Sequence, residues 1–439
     1  MDPRILHFGL GNFHRAHQAV YTEAVGNGEW GIAGVAPRSH ETVAKLRAQN
    51  CLYSVTVRGP GEPRTRLCHA LTEALHLTGD AERVEQLITN RGTTVVTLTI
   101  TEKGYFRTPE GRLDTAAPEI AADLAGGTAR TVIGALVRGL TVRHLTGGAP
   151  LSVVSCDNMA ANGAALHGVV REFAELSGAG EAFLDWLGRS VAWPSTVVDR
   201  IVPATAPGDA DAASAALGLR DEMPVSAEPY RLWVLEDVFG ADRPRWELDG
   251  ALFVPDVTPY QLTKLRLLNG SHSALAYLGL AAGLATVADT MATDWGPKLV
   301  RQLADEVAPT LPTFGPNPAA YAEELVTRFE NPSIRHALRQ ISSDGSRKLP
   351  ERWFAVLRAV KAPTLELALA AWVHVTRDAA APDPLSTELA RSWAEHSTAP
   401  ELVAAQLRLV GAPDLADRAE LVRSVAERLP AVQDGRIEV

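Results

Sequence analysis

The sequence predicts an α/β protein in which a doubly wound, parallel-sheet domain precedes a mainly α-helical one. Three observations carry this. The first 40 residues run strand, glycine turn, helix, strand. Two further β-branched runs, Thr93–Thr101 and Leu151–Ser155, recur between helix-like stretches, an alternation that favours parallel strands with crossover helices. After about residue 255, strand runs become scarce and Ala/Leu/Arg/Glu periodicity dominates. At ~150 residues per domain, 439 residues fit two or three domains. We divide them as 1–254 and 255–439.

In chain order, Arg4–Phe8 reads as a buried strand, Gly9–Gly11 as a turn, His14–Val25 as a helix and Trp30–Val35 as a second strand. Ser195–Phe253 mixes strand and loop signals, with Pro207–Gly218 a surface excursion. Further on, Asn317-Pro318, Asn331-Pro332, Ala362-Pro363, Ala399-Pro400 and Ala412-Pro413 mark helix starts or breaks. The longest apolar run, Ala274–Ala288, falls short of the ~20 residues a membrane span needs and reads as a core helix.

Composition narrows the function classes. A hydrophobic share of 46% with 21% charged residues excludes a wholly disordered chain. A net charge of -10 argues against general binding to nucleic acid or anionic membrane. Cys51, Cys68 and Cys156 form no C-x-x-C pair, so neither a disulfide scaffold nor a thiolate zinc site is expected. The N-terminus meets polar and basic residues too early for a signal peptide, and a soluble, cytoplasmic protein is expected. His14 and His17 have metal-like spacing but no third ligand nearby, so they are assigned to capping and packing, and no metal is expected.

Two segments carry chemistry. Gly9-Leu10-Gly11-Asn12-Phe13-His14 follows a strand and opens a helix. The first glycine permits a tight turn and the second lets the backbone approach a pyrophosphate; the third glycine of the dinucleotide fingerprint is replaced by His14. Gly9, Gly11, Asn12 and Phe13 are therefore cofactor candidates, with Glu102 beyond the third strand. After the second strand, Glu41 could accept from a ribose hydroxyl, whereas Arg38 could meet a 2′-phosphate. NAD is preferred and NADP left open.

The second segment is Thr258–His272, with Pro259 suited to a helix start. On an α-helix Asn269 lies ~140° and His272 ~80° round from Lys264, so all three share one half of the cylinder. A lysine in an apolar cleft can have its pKa drawn from ~10.4 toward 7–8 and act as a general base, while Asn and His donors stabilise an alkoxide or carbonyl oxygen. The competing reading is a surface lysine beside a satisfied core Asn/His pair.

Six motifs in order then resemble the polyol-specific long-chain dehydrogenases, the mannitol dehydrogenase family. They are HFGLGNFHRAHQ at 7–18, TLTITEKGY at Thr97–Tyr105, SCDNMAANG at Ser155–Gly163, VDRIVPAT at Val198–Thr205, KLRLLNGSH at Lys264–His272 and SSDGSRKLPERW at Ser342–Trp353. The resemblance implies a Rossmann-type domain joined to a helical substrate domain with the active site between them. It implies metal-independent oxidation of a secondary alcohol of a linear polyol or sugar acid by NAD(P). It also implies Lys264 as general base, Asn269 and His272 on the reacting oxygen, Asn158 (with Asn162 a further candidate) holding substrate, and Lys348 on the substrate's other oxygens.

Two positions depart from the family pattern. Gln261 stands where some mannitol 2-dehydrogenases carry a proton-relaying Glu, leaving Asp199 or water as the relay; the alternative for Asp199 is a salt bridge with Arg200 or another Arg. Gln340 stands where mannitol enzymes often have Arg and, with Lys103, resembles the fructuronate reductase (mannonate oxidoreductase) branch. A carboxylate substrate would want a cation, from Lys348, Arg347 or Lys103. The alternatives are an enzyme resembling mannitol-1-phosphate 5-dehydrogenase and a non-catalytic nucleotide-binding sensor. The oligomeric state is left open.

Overall fold

The computed structural model describes residues 3–26, 28–59, 61–332, 336–378 and 382–439. The chain forms two compact units, Met1–Val257 and Thr258–Val439.

In the first unit, β1 (Pro3–Phe8), the helices α1 (Asn12–Ala16) and α2 (Gln18–Val25), β2 (Gly31–Ala36) and α3 (His40–Ala48) follow in order. Across the main sheet the strands run Leu71–His76, β2, β1, Val95–Leu98, Leu151–Ser155, Val191–Ala192. Every pairing is parallel. The central strands are buried almost throughout, as expected for a parallel sheet covered on both faces. The chain builds outward from β1 in one direction, then returns to the other side at Val95–Leu98, which makes the carboxyl end of β1 a topological switch point. Two small three-stranded sheets complete the unit: Val225–Ala227, Tyr53–Val57, Arg64–Cys68, and Leu252–Val254, Leu232–Glu236, Thr196–Asp199. The stretch 207–218 forms a short helix, Asp209–Leu217, closed by Gly218.

Two predicted elements are shorter than expected, each for a physical reason. The His14–Val25 helix is broken at His17 (φ -125°, ψ -88°). Its buried ring bonds the Leu232 carbonyl through Nε2 at 2.8 Å and stacks on Phe13 at 5.0 Å, so tertiary packing overrides helix continuity. The Thr93–Thr101 strand keeps only Val95–Leu98. Beyond it, the Ile100 and Thr101 N–H groups turn to the Asp157 carboxylate instead of a neighbouring strand.

Burial of the N-terminal histidines has a measurable consequence. His7 bonds Thr97 Oγ1 at 2.8 Å and stacks on His14, ring centroids 3.3 Å apart. Desolvation pulls His7 and His17 down to about 3 and holds His14 well below the usual imidazole range. The unfolded chain then binds protons below its ordinary ~6.5 that the native state refuses, so stability present above that pH falls on acidification. His7 and His17 each contribute about 1.4 kcal/mol per pH unit between roughly 6.5 and 3, and His14 acts in the same direction. Urea melts of the protein, followed through the first unit's tryptophans, should show a midpoint that drops steeply from pH 6.5 to 4.5. A flat midpoint would show the rings charged in the native state.

The second unit is helical. Gly270–Ala281 and Pro363–Val375 are buried almost all round, Gly270–Gly279 and Thr364–Val373 without a break, and serve as its central helices. The remaining helices pack around them, with Trp353 and Trp372 among the largest buried side chains. Prolines open the helices at Pro318 and Pro363, where a missing N–H costs nothing. The apolar run from Ala274 is indeed a core helix, ending at Ala281. Among the described residues, no helix is long and apolar enough to cross a membrane.

Candidate active site

At the switch point a cavity of about 340 Å³ opens over the carboxyl ends of β1, β2 and Val95–Leu98. Its lining includes Gly9, Gly11, Arg38, Ser39, Thr99, Ile100, Thr101, Arg130 and Thr131. Gly9 has φ +106°, and a Cβ there would sit 2.0 Å from the Thr99 carbonyl oxygen, so only glycine fits. Gly11 is different: its φ of -109° suits any residue, and a Cβ would meet nothing nearer than 3.8 Å. Neither backbone nor packing demands glycine at 11. A Cβ would only fill the space above the chain that a pyrophosphate needs for close approach, so the turn fits a dinucleotide. With α1 only five residues long, the peptide N–H groups of the turn rather than a helix dipole would meet the phosphates.

The other cofactor candidates are placed elsewhere. Ser39 caps α3 by accepting from the Thr42 N–H at 3.1 Å. Glu41, in the first turn of α3, is exposed and ion-paired with Lys45 at 2.6 Å; it does not line the cavity, because the i,i+4 partner draws it along the helix surface. Asn12 donates to Thr205 Oγ1 at 3.1 Å and accepts from Arg15 at 2.7 Å. Phe13 packs on His17. Glu102 is exposed in the short turn Glu102–Tyr105. None of these three lines the cavity. Thr101, in the left-handed region at φ +63°, does line it, as does Arg130; Thr101 lies in the quoted TLTITEKGY motif without having been named as a cofactor candidate, and Arg130 lies outside every quoted motif.

Asp157 ties two of the sequence motifs together. Its buried carboxylate accepts from the N–H groups of Ile100 (3.1 Å) and Thr101 (2.8 Å) and from the Tyr105 hydroxyl (2.7 Å). Burial raises its pKa, against the lowering effect of these donors. The next residue, Asn158, is exposed in the turn after Leu151–Ser155. Asn162 proves structural, which corrects its assignment to substrate. It is 1% exposed, both amide hydrogens go to the carbonyls of Asp157 (3.0 Å) and Thr196 (3.1 Å), and its oxygen accepts from the Thr196 N–H. A side chain so committed has no donor for a ligand. Asp199 is buried at the end of Thr196–Asp199. The neighbouring Arg200 donates to the carbonyls of Glu228 and Ala16.

In the second unit, Lys264 and Asn269 lie on an unexpected element. The helix Thr258–Thr263 passes into a π-helical stretch, Lys264–Asn269, before resuming as Gly270–Ala281. The Gly270 N–H reaches back five residues to the Leu265 carbonyl. The α-helical angles expected for this stretch therefore do not hold. An i→i+5 ladder sets residue 269 nearly over residue 264, closer than the ~140° of an α-helix. Such bulges occur frequently at functional positions. Lys264 and Asn269 are half-buried.

His272 is 8% exposed, stacked on Phe329 at 4.4 Å and edge-on to His336 at 5.1 Å. Burial first, then the charges of His336, Arg328 and Arg352, hold its pKa well below the usual range. The ring is neutral at physiological pH. Its Nε2 is buried with no hydrogen-bond partner among the described residues, an expensive state that a ligand oxygen would relieve.

A second π-helical turn, Pro350–Phe354, follows the helix Gly345–Leu349 that carries Lys348. Lys348 is half-buried; among the described residues its Nζ donates only to the Ile341 carbonyl, at 3.4 Å, and burial lowers its pKa. From the second π-turn, Arg352 donates to Ser273 Oγ at 2.7 Å and to the Asn269 carbonyl at 3.4 Å. Arg352 was missed: it lies in a quoted motif, but nothing in its spacing set it apart. Gln340 is exposed on the short helix Leu338–Ile341. Among the described residues, no three His, Cys, Asp or Glu side chains are grouped to hold a metal ion.

Comparison with known proteins identifies the family. The family model of the mannitol dehydrogenase Rossmann domain matches residues 3–248, and that of the mannitol dehydrogenase C-terminal domain matches residues 256–433. The chain is 37% identical to the D-mannonate oxidoreductase of Escherichia coli (strain K12), over 97% of this chain and 92% of that one. A crystal structure of D-sorbitol dehydrogenase in substrate-free form superposes with a TM-score of 0.89 at 29% identity, covering 99% of this chain and 94% of that one. The Pseudomonas fluorescens mannitol 2-dehydrogenase, solved as a ternary complex with NAD and D-mannitol, gives 0.82 at 31%, covering 99% and 92%. The chain belongs to the mannitol dehydrogenase family and is an oxidoreductase of that family.

Proposed function

We propose that the protein interconverts a secondary alcohol of a linear polyol or sugar acid and the matching keto sugar, with NAD(H) as cofactor and Lys264 as general base. Membership of the family and the glycine turn beneath the switch-point cavity support the cofactor. The observation that carries the catalytic reading is the π-helical Lys264–Asn269 stretch leading into a buried, neutral His272 whose Nε2 has no partner among the described residues.

When bound, NAD supplies the hydride acceptor. The chain's residues do the rest. The Lys264 amine takes the proton of the substrate hydroxyl. The Asn269 amide and the His272 Nε2–H donate to the same oxygen as negative charge develops on it. Donors held in place beforehand stabilise that charge without reorganising. In the reverse direction the Lys264 ammonium returns the proton. An amine base needs no metal-bound hydroxide, so the proposed mechanism is metal-independent. Asn158 and Lys348 are assigned to the substrate's remaining oxygens, and Asp199 to proton exit in place of Gln261. The same intact set of base and donors counts against a non-catalytic sensor.

A panel of fructose, fructuronate and tagaturonate, each with NADH and with NADPH, tests the reading. NADH oxidation with at least one is expected, and no reaction across the panel would refute it. His272→Ala is expected to lower kcat about 10- to 100-fold at nearly unchanged NADH affinity, the scale of one oxyanion donor. Equal kcat would remove His272 from the reacting oxygen.

A further inference from the structure

We propose that Arg352 and Lys348 form a two-cation site that takes the carboxylate of a linear sugar acid, making Arg352 a specificity-determining residue. The inference rests on the reading of Lys264, Asn269 and His272 as the reacting centre, and it names the substrate class.

Four observations carry it. First, Arg352 is a half-buried cation that forms no ion pair among the described residues: its bonds go to neutral oxygens, Ser273 Oγ and the Asn269 carbonyl, and both use Nη1. Its Nε–Nη2 edge makes no hydrogen bond among the described residues and is not sealed from solvent. That edge is the planar fork that meets a carboxylate bidentately. Second, Lys348, four residues earlier, is likewise half-buried and pairs with no carboxylate among the described residues. The nearest acids do not serve. Asp383 is engaged by the N–H groups of Ser346 (2.8 Å) and Leu385 (2.9 Å), and Asp344 and Glu351 are exposed. Third, Lys348 sits one helical turn before Arg352, and burial, then the Arg352 charge, lowers its pKa, while Asp344 and Asp383 act the other way. Two like charges held together out of water are costly unless an anion joins them. Fourth, Arg352 donates to the backbone carbonyl of Asn269 itself, which sets its guanidinium beside a residue of the reacting centre. Lys103 and Arg347, the other cations the sequence offered for a carboxylate, are exposed.

The test compares Arg352→Met and Arg352→Lys with the wild-type enzyme on D-mannonate and on D-mannitol, each with NAD. For Arg352→Met, KM for mannonate should rise about 10- to 100-fold, the scale of hydrogen bonds to a charged group, while kcat/KM for mannitol stays within about threefold. Arg352→Lys should recover part of the loss, lacking only the fork. Equal falls on both substrates would make Arg352 a strut for Asn269 and overturn the proposal. Binding without turnover separates this from the reading of the base. Calorimetric titration of Lys264→Ala, loaded with NADH, should show mannonate binding more tightly than mannitol, and the preference should vanish in Lys264→Ala/Arg352→Met. Absence of that preference would overturn the carboxylate site even where Lys264 proves to be the base. Should Arg352→Met fail to bind NADH, Arg352→Gln is read in the same way.

Discussion

Replacing Lys264 with alanine is expected to lower turnover at least ~10²-fold, the scale of a general base, while NADH binding is retained. The retention follows from the division of labour: the glycine turn and its cavity lie in the first unit, Lys264 in the second. Alcohol oxidation by the wild-type enzyme should depend on a group that must lose a proton, giving a rate that climbs with pH. In Lys264→Ala the residual rate should lose that dependence, and exogenous primary amines should restore part of it. Near-normal turnover, or an unchanged pH profile, would place the base elsewhere. Lys264→Ala is preferable to Lys264→Met because alanine keeps helical propensity and leaves space for the rescuing amine.

The second large effect separates two glycines that look equivalent in sequence. Gly9→Ala forces a methyl to 2.0 Å from the Thr99 carbonyl, at a φ of +106°. Left-handed strain of ~1–2 kcal/mol and overpacking of ~1–3 kcal/mol together suggest about 2–5 kcal/mol of destabilisation, with NADH affinity falling alongside. Gly11→Ala meets neither penalty. Its melting temperature should match the wild type, while the Kd for NADH rises at least about tenfold as the methyl occupies the cofactor's approach. Thermal melts and NADH fluorescence titrations of the two variants decide this. Unchanged NADH affinity in a well-folded Gly11→Ala would move the pyrophosphate away from the turn.

How much of this was legible in the sequence depends on which interactions set each feature. The parallel sheet was, because buried β-branched runs at β1, Val95–Leu98 and Leu151–Ser155 encode it locally. The helical second unit was too, since proline starts and apolar periodicity are local signals. The break at His17 was not: it is set by a bond to Leu232, 215 positions away. Nor was the π-helical stretch, because KLRLLN has ordinary helical spacing and its register is fixed by packing, including Trp353 Nε1 on the Gly270 carbonyl at 3.1 Å. The candidate site shows the same split. Lys264, Asn269 and His272 stood out as polar residues in an apolar helix. Arg352 did not, because an arginine's lack of a counter-ion is visible only once its neighbours are known. Asn162 misled for the converse reason: an amide spent on two backbone carbonyls has the same letter as one offered to a ligand.

The Asp157 carboxylate bears on attempts to redesign the enzyme. It grips Ile100 and Thr101, two walls of the nucleotide cavity, while its chain neighbour Asn158 is the residue assigned to substrate. A library that varies Thr99–Thr101 to change coenzyme choice therefore also perturbs the loop meant to hold the sugar. Selections should randomise both stretches together and keep Asp157 and Tyr105 fixed, since the Tyr105 hydroxyl closes the same clasp at 2.7 Å.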